Sequence, residues 1–305
     1  MSFLVTGDTG FLGSHLVRKL VENGEQVIVS HTSPIVKTLS DMLEKVKFVR
    51  SDLLDLPKIM EIVKKNKVTY IIHLAYWMEP AIHESPGRAV LINCKGTNNI
   101  FDTARFLNVE RVVWASSTSV YASSENYSGK NVNEDVPLKP INVYGACKLL
   151  NEYMGSVYKE DYGLDNIGLR FSMIYGTGRF RGKHNFKDVI EKPALGKPVK
   201  ISYADTKANW LYVKDAVRAI LLACYSKKPQ HSIFNICGHA LTIREMTSLV
   251  LKIIPDANIS LQAGDLGWHS YFNTTRSLNE LGYEPSDVEE NIRDYIASLR
   301  AIQHE

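Results

Sequence analysis

The stretch "VTGDTGFLGSHL", Val5–Leu16, decides the fold of this 305-residue chain. It sets Gly7, Gly10 and Gly13 directly after the β-rich run "FLVT" and inside the first turn of a helical pattern from Phe11 to Glu22. Gly7 permits a tight turn, Gly10 lets backbone amides approach an anion, and Gly13 lets the helix pack closely on the strand. The positive end of the helix then faces the anion. Such a loop, with Phe11 and Leu12 between its last two glycines, suits the pyrophosphate of a dinucleotide. A merely structural turn would not need three glycines at this spacing.

Working outward, β-rich runs alternate with helical patterns. "QVIVS" follows the first helix; then come "KFVR" and Pro57–Lys65, "TYIIHLAY" and 86–107, "RVVWAS" and 142–162, and "NIGLRF". Alternation of this kind implies right-handed βαβ crossovers and a parallel sheet with helices on both faces. The predicted class is α/β, a Rossmann-type doubly wound parallel sheet over residues 1–170. After Arg170 the pattern loosens into "YGTGRFRGKHNF", a loop composition that opens a smaller C-terminal substrate-binding lobe, mainly 171–305. Residues 205–232 are expected to return to the first domain. "NWLYVKDAVRAILLACY" reads as a strand running into a helix, and Thr242 with Glu245 forms a capping box for a helix over "TIREMTSLVLKII".

Composition narrows the partners. Net charge is +3, from 36 basic and 33 acidic residues without a block of one sign, which argues against nucleic acid and anionic membrane. No apolar run approaches the roughly 18 residues that span a bilayer, and the N-terminus has no secretory pattern, so a cytoplasmic protein is expected. Cys94, Cys147, Cys224 and Cys237 lie far apart with no C-x-x-C pair, which argues against zinc and a disulfide framework. The histidines match no ligand spacing, and no metal is expected.

Reactive groups stand further along. Tyr144 and Lys148 are four apart on a predicted helix and share one face. An ammonium beside a phenol favours phenolate, so Lys148 activates Tyr144 as an acid/base group. In "WASSTSVY", Ser117 falls at the carboxyl end of the fifth strand, where open α/β sheets bind ligands, with Ser116, Thr118 and Ser119 as competing hydroxyls. The end of the second strand reads "SHTSPIVK" and lacks the acid that usually receives the adenosine ribose of NAD. His31, Thr32 and Ser33, with Lys37 beyond them, are candidates for a 2′-phosphate. Cofactor choice stays open between NAD and NADP, with a lean to NADP. Asp52 and Leu53 are candidates for the adenine edge.

In order and over nearly the whole chain, "TGDTGFLG", "HLAYW", "NCKGTNNIFDTAR", "RVVWASSTSVY", "YGACK", "LRFSMIYGTG" and "WLYVKDAVRA" resemble the extended short-chain dehydrogenase/reductases. Within these the likeness is to the NAD(P)-dependent epimerase/dehydratase group, which includes sugar-nucleotide 4-epimerases. The resemblance gives Ser117, Tyr144 and Lys148 the catalytic roles. It places Asp52 and Leu53 by the adenine, Leu74, Ala75 and Tyr76 along the cofactor, and Asn93 as a backbone anchor near the active site. It also implies a homodimer through the helices at 86–107 and 142–162. Where members acting on nucleotide-diphosphate sugars carry an Asn and two Arg, this chain has Met173, Ala208 and no arginine in "QAGDLGW". Arg179, Arg181, Lys183, His184 and Lys207 are candidates to replace that charge, and Arg276 is a further unassigned cation. Thr118-Ser119 stand where dehydratases carry Asp-Glu, which disfavours dehydration. Trp77, with Tyr76, Met78 and His83, is a candidate wall of the substrate pocket.

The expected activity is hydride transfer at a secondary alcohol or ketone of a sugar or sugar-nucleotide. An NADP-dependent carbonyl reductase or dehydrogenase on a smaller substrate remains a rival reading. So does a non-catalytic dinucleotide sensor, which intact Ser117, Tyr144 and Lys148 disfavour.

Overall fold

The computed structural model describes residues 1–32, 37–78, 80–122, 124–127, 131–178 and 186–303. The first half alternates strands and helices: β1 (Ser2–Thr6), α1 (Phe11–Glu22), β2 (Gln26–His31), β3 (Lys47–Arg50), α2 (Leu56–Lys65) and β4 (Tyr70–His73). Then come α3 (Ala81–Glu84), α4 (Pro86–Val90), α5 (Gly96–Phe106), β5 (Arg111–Ser117), α6 (Val143–Tyr162) and β6 (Asn166–Phe171). The remainder holds β7 (Met173–Tyr175), α7 (Asp188–Ala194), β8 (Val199–Ile201), β9 (Lys207–Tyr212), α8 (Val213–Tyr225) and β10 (Ile233–Ile236). It closes with β11 (His239–Thr242), α9 (Ile243–Ile253), β12 (Ile259–Leu261), α10 (Thr275–Leu281) and α11 (Val288–Gln303).

Seven parallel strands make the main sheet in the order β10-β6-β5-β4-β1-β2-β3. Their side chains alternate between two cores, as a two-residue repeat requires. Phe3, Val5, Val27 and Val29 face one layer with Leu16 and Leu20 of α1 and Ala216 and Ile220 of α8. Leu4, Ile28, Ile71 and Trp114 face the other, against Ile59 of α2, Phe101 of α5 and Tyr158 of α6. The sheet is therefore doubly wound. Chain order reverses between β1 and β4, the switch point where α/β sheets open a crevice at their carboxyl ends.

Three departures from the expected elements bear on the site. The strand expected over "TYIIHLAY" stops at His73, so Leu74–Trp77 continues as irregular chain beyond the sheet. The helix expected over 86–107 is carried through a π-turn at Leu91–Lys95 and ends at Phe106. The seventh strand, β10, comes from the second half of the chain and was not anticipated.

β7, β9 and β11 form a separate three-stranded sheet, and β8 pairs with β12. Their core holds Tyr175, Trp210, Tyr212, Met246 and Tyr295. The Thr242–Glu245 capping box opens α9, and β9 runs directly into α8. No helix among the described residues is long and apolar enough to cross a membrane.

Candidate active site

The glycine loop is built too tightly for side chains. A Cβ on Gly7, whose φ is +75°, would lie 2.5 Å from the Ala75 nitrogen, and one on Gly13 would lie 2.2 Å from the Gly7 carbonyl oxygen. The turn is thereby locked between the end of β4 and the first turn of α1. Gly10 caps α1 without any side-chain bond, and no acid stands in its first turn. The first helical amides thus have no acceptor of their own and suit a pyrophosphate. Close approach, unfilled amides and the helix dipole all fit a dinucleotide here.

Leu74–Trp77 forms the opposite lip. Leu74 and Ala75 hang from Thr6 through backbone and hydroxyl bonds of 3.0 and 3.4 Å. Asn93 clamps Trp77 on both sides: its Oδ1 accepts from the Trp77 nitrogen at 2.7 Å and its Nδ2 donates to the Trp77 oxygen at 3.0 Å. Beneath lies a buried relay. His73 Nδ1 meets Thr6 Oγ1 at 2.7 Å, His73 Nε2 meets Thr97 Oγ1 at 3.1 Å, and Thr97 donates to the Asn93 carbonyl. Burial pushes the imidazole down to about 3, so His73 is neutral and structural.

α6 begins at Asn142, whose side chain caps the Gly145 amide at 2.8 Å. Tyr144 and Lys148 follow on one face, with Lys148 Nζ 5.6 Å from the Tyr144 ring centroid. Lys148 is buried, donates to the Ala115 carbonyl and stands 3.4 Å from the ring centroid of Tyr76. Tyr76 meets Tyr144 edge-on with centroids 5.3 Å apart. Burial, opposed by Cys147 and Glu152, pushes the Lys148 ammonium down to about 7. Through Tyr76 the Tyr144–Lys148 pair therefore adjoins the segment that packs on Gly7.

Ser117 ends β5 and turns into a 3₁₀ segment, Thr118–Val120. Its Oγ accepts from the Ser119 amide at 3.1 Å and donates to Ser119 Oγ at 3.2 Å. Ser116 points elsewhere, donating to Glu152 at 2.6 Å, and Thr118 donates to the Phe171 carbonyl at 3.3 Å. A buried ion pair, Arg170 with Glu152 at 2.7 Å, ties β6 to α6 one turn beyond Lys148. Sequence reasoning missed this pair; its one visible sign was Glu152 continuing the i, i+4 spacing of Tyr144 and Lys148.

At the adenosine end, His31 closes β2 with its ring edge on Phe48 and its buried Nδ1 without a described partner. Thr32 is exposed, and Asp52 Oδ1 accepts from the Leu54 amide in a turn. Leu53 packs against Gly96. Ser33, Arg179, Arg181, Lys183, His184 and the side chain of Lys37 lie outside the described residues.

Comparison with known proteins settles the lineage. The model of the NAD dependent epimerase/dehydratase family matches residues 3–237. The chain belongs to that family. Among solved structures it is similar to the UDP-glucose 4-epimerase of Thermotoga maritima with UDP-glucose, at 26% identity and TM-score 0.85, covering 99% of this chain and 100% of that one. It is also similar to the Thermus thermophilus UDP-glucose 4-epimerase complex with NAD, at 26% identity and TM-score 0.83, covering 98% and 99%. An L-threonine dehydrogenase from Cupriavidus necator, at 20% identity and TM-score 0.87 over 98% and 100% of the chains, shares the fold.

Ala208 is buried in the second core, and Met173 is half-buried on β7. Lys207 donates to the Tyr271 hydroxyl at 2.6 Å. Arg276 is taken up by Asp135 at 2.6 Å and Glu134 at 3.7 Å. Trp77 is half-buried with the Arg88 guanidinium 5.5 Å above its ring, while Met78 and His83 are exposed. All four cysteines are buried and free, and no metal-holding cluster occurs among the described residues.

Proposed function

We propose that this protein binds NAD and interconverts a secondary alcohol and its ketone on a sugar or sugar-nucleotide, with 4-epimerisation as the net reaction. The carrying observation is the Tyr144–Lys148 face of α6, set beside the cofactor lip through Tyr76 and Lys148. Gly7, Gly10, Phe11, Leu12 and Gly13 would hold the pyrophosphate, and Asp52, Leu53, Leu74 and Ala75 the adenosine side. The bound nicotinamide supplies the hydride acceptor and, once reduced, the donor.

In this reading Tyr144, as phenolate, takes the substrate hydroxyl proton and later returns it. Lys148 lies within electrostatic reach of the phenol and favours its ionised form while charged. The Ser117 hydroxyl donates to the carbonyl oxygen as it forms, giving up its bond to Ser119. Thr118-Ser119, lacking an acid, leaves no group in that turn to expel water, which favours epimerisation over dehydration.

NAD is favoured over NADP by the complex of the Thermus relative. The absent acid after β2 pulls the other way, but Arg18, which reaches the Thr38 carbonyl beyond β2, is committed to Asp41 at 2.6 Å. A second reading, an NADP-linked reductase or dehydrogenase on a smaller substrate, draws on the buried Ala208 and the engagement of Lys207 and Arg276.

One experiment separates the two. Freshly purified protein is denatured and the released nucleotide identified by mass, and UDP-glucose is offered to native protein. Retained NAD with isomerisation of UDP-glucose, abolished in Tyr144→Phe with NAD still bound, is the expected result. An empty or NADP-exchanging site without isomerisation would replace the epimerase by the reductase. Unchanged turnover in Tyr144→Phe would remove Tyr144 from the chemistry.

We also propose a homodimer. Val143, Leu150, Tyr153 and Val157 line one side of α6, and Val90 and Leu91 lie at the junction of α4 with the π-turn, all exposed in the single chain. Apolar surface in such a stripe favours burial against a second copy.

A further inference from the structure

Between Gly7 and Thr9, inside the turn that would hold the pyrophosphate, the chain carries a carboxyl group. Asp8 is 0% exposed, and neither of its oxygens has a side-chain or charged partner among the described residues. It lies under the first turn of α1, where a Cβ on Gly13 would come within 2.7 Å of the Asp8 Cα. A fully buried, unpaired carboxylate is costly, and a dianion held at the adjacent helix N-terminus makes it costlier by like-charge repulsion. Protonation removes both costs and turns a repelling oxygen into a hydroxyl donor.

We propose that Asp8 enters the dinucleotide complex as the neutral carboxylic acid, so that binding takes up a proton from solvent at this residue. The inference rests on reading the loop as a dinucleotide site.

Among the described residues the surroundings leave the group without a cation. On α1, Arg18 is paired with Asp41 of the 37–42 turn and His15 is bonded to the Thr177 carbonyl. At the end of β2, His31 packs on Phe48, and at the end of β4, His73 is held between Thr6 and Thr97. The turn itself is tied by the Thr38 hydroxyl, which donates to the Thr9 carbonyl at 3.1 Å. Burial accordingly pushes the Asp8 carboxyl up to about 7, with only the Asp8 and Thr9 amides acting against it. An anion bound next to it moves the group further in the same direction, and uptake follows by linkage.

Lys148 has to be separated from Asp8, because its ammonium also lies near 7 and an anionic ligand would draw a proton to it as well. The test is titration calorimetry of NAD and NADH at pH 8 in two buffers of different ionisation enthalpy, with affinity followed from pH 6 to 9 by NADH fluorescence. Expected is proton uptake that persists in Lys148→Met and is lost in Asp8→Asn, with NADH affinity in Lys148→Met falling by up to about tenfold per pH unit above neutrality. Equal uptake in the parent and Asp8→Asn, or none in Lys148→Met, overturns the inference. Should Asp8→Asn not fold, Asp8→Ala serves in its place beside Lys148→Met. Failure of both nucleotides to bind at any pH would sink the dinucleotide reading and this inference with it; binding without uptake would remove only the latter.

Discussion

A Cβ on Gly145 would stand 2.2 Å from the carbonyl oxygen of Ser119. The helix that carries Tyr144 and Lys148 thus touches, backbone to backbone, the turn that carries Ser117. Gly145→Ala must push the two apart, and overpacking of this kind costs about 1–3 kcal/mol. A lower unfolding temperature together with at least a tenfold loss of turnover is expected. An alanine variant with normal stability and turnover would show that the two elements do not need this contact.

Tyr76 presents its ring to the Lys148 ammonium, with Nζ 3.4 Å from the ring centroid. Its ring face favours the ammonium by about 0.5–2 kcal/mol, so its loss lowers the Lys148 pKa further below its position near 7. In Tyr76→Leu the high-pH limb of the activity profile moves down by roughly half a unit to one and a half units. Tyr76→Phe keeps the ring and the parent profile. A pH-rate series on both variants decides; a shift in Phe equal to that in Leu would assign the effect to the hydroxyl.

Glu152 and Arg170 are both buried, and removing one partner strands the other. Arg170→Leu is expected to cost about 3–5 kcal/mol in urea unfolding, whereas replacing both by apolar residues of similar volume costs less. Equal losses in the single and double variants would mean that packing, not the unpaired charge, sets the penalty.

His73 makes the fold acid-sensitive. Its imidazole binds a proton near 6.5 when unfolded but only near 3 when folded, so between those values the unfolded state holds more protons. Stability contributed by the neutral ring is present above about 6.5 and is lost as pH falls toward 3. Thermal unfolding of the parent should therefore decline across that window more steeply than that of His73→Gln. Parallel curves would place the acid sensitivity elsewhere.

The exposed stripe on α6 should hold two copies together. Light scattering of the parent is expected to give twice the chain mass, and Leu150→Glu with Tyr153→Glu to give a monomer. A parent of single-chain mass would refute the homodimer.

Much of the architecture was legible because it is written in short spacings. The glycine turn, the i, i+4 pair Tyr144 and Lys148 and the Thr242–Glu245 box each depend on residues a few positions apart. β10 was not legible, because the short run Ile233–Ile236 becomes the seventh strand only through its partner β6, more than sixty positions earlier. The same holds for Asn93, whose role the resemblance supplied but whose clamp on Trp77 crosses 16 positions and two elements.

By itself the amino-acid order determined the doubly wound class and the tight glycine turn, and it set Tyr144 and Lys148 on one face of a helix, since local periodicity and steric freedom suffice for these. Only the tertiary structure decided that Lys148 lies buried against the ring of Tyr76, that Asp8 is shut away from water, and that Ala208 packs inward where a cation was looked for. Desolvation is a property of what surrounds a group, and those surroundings come from distant parts of the chain.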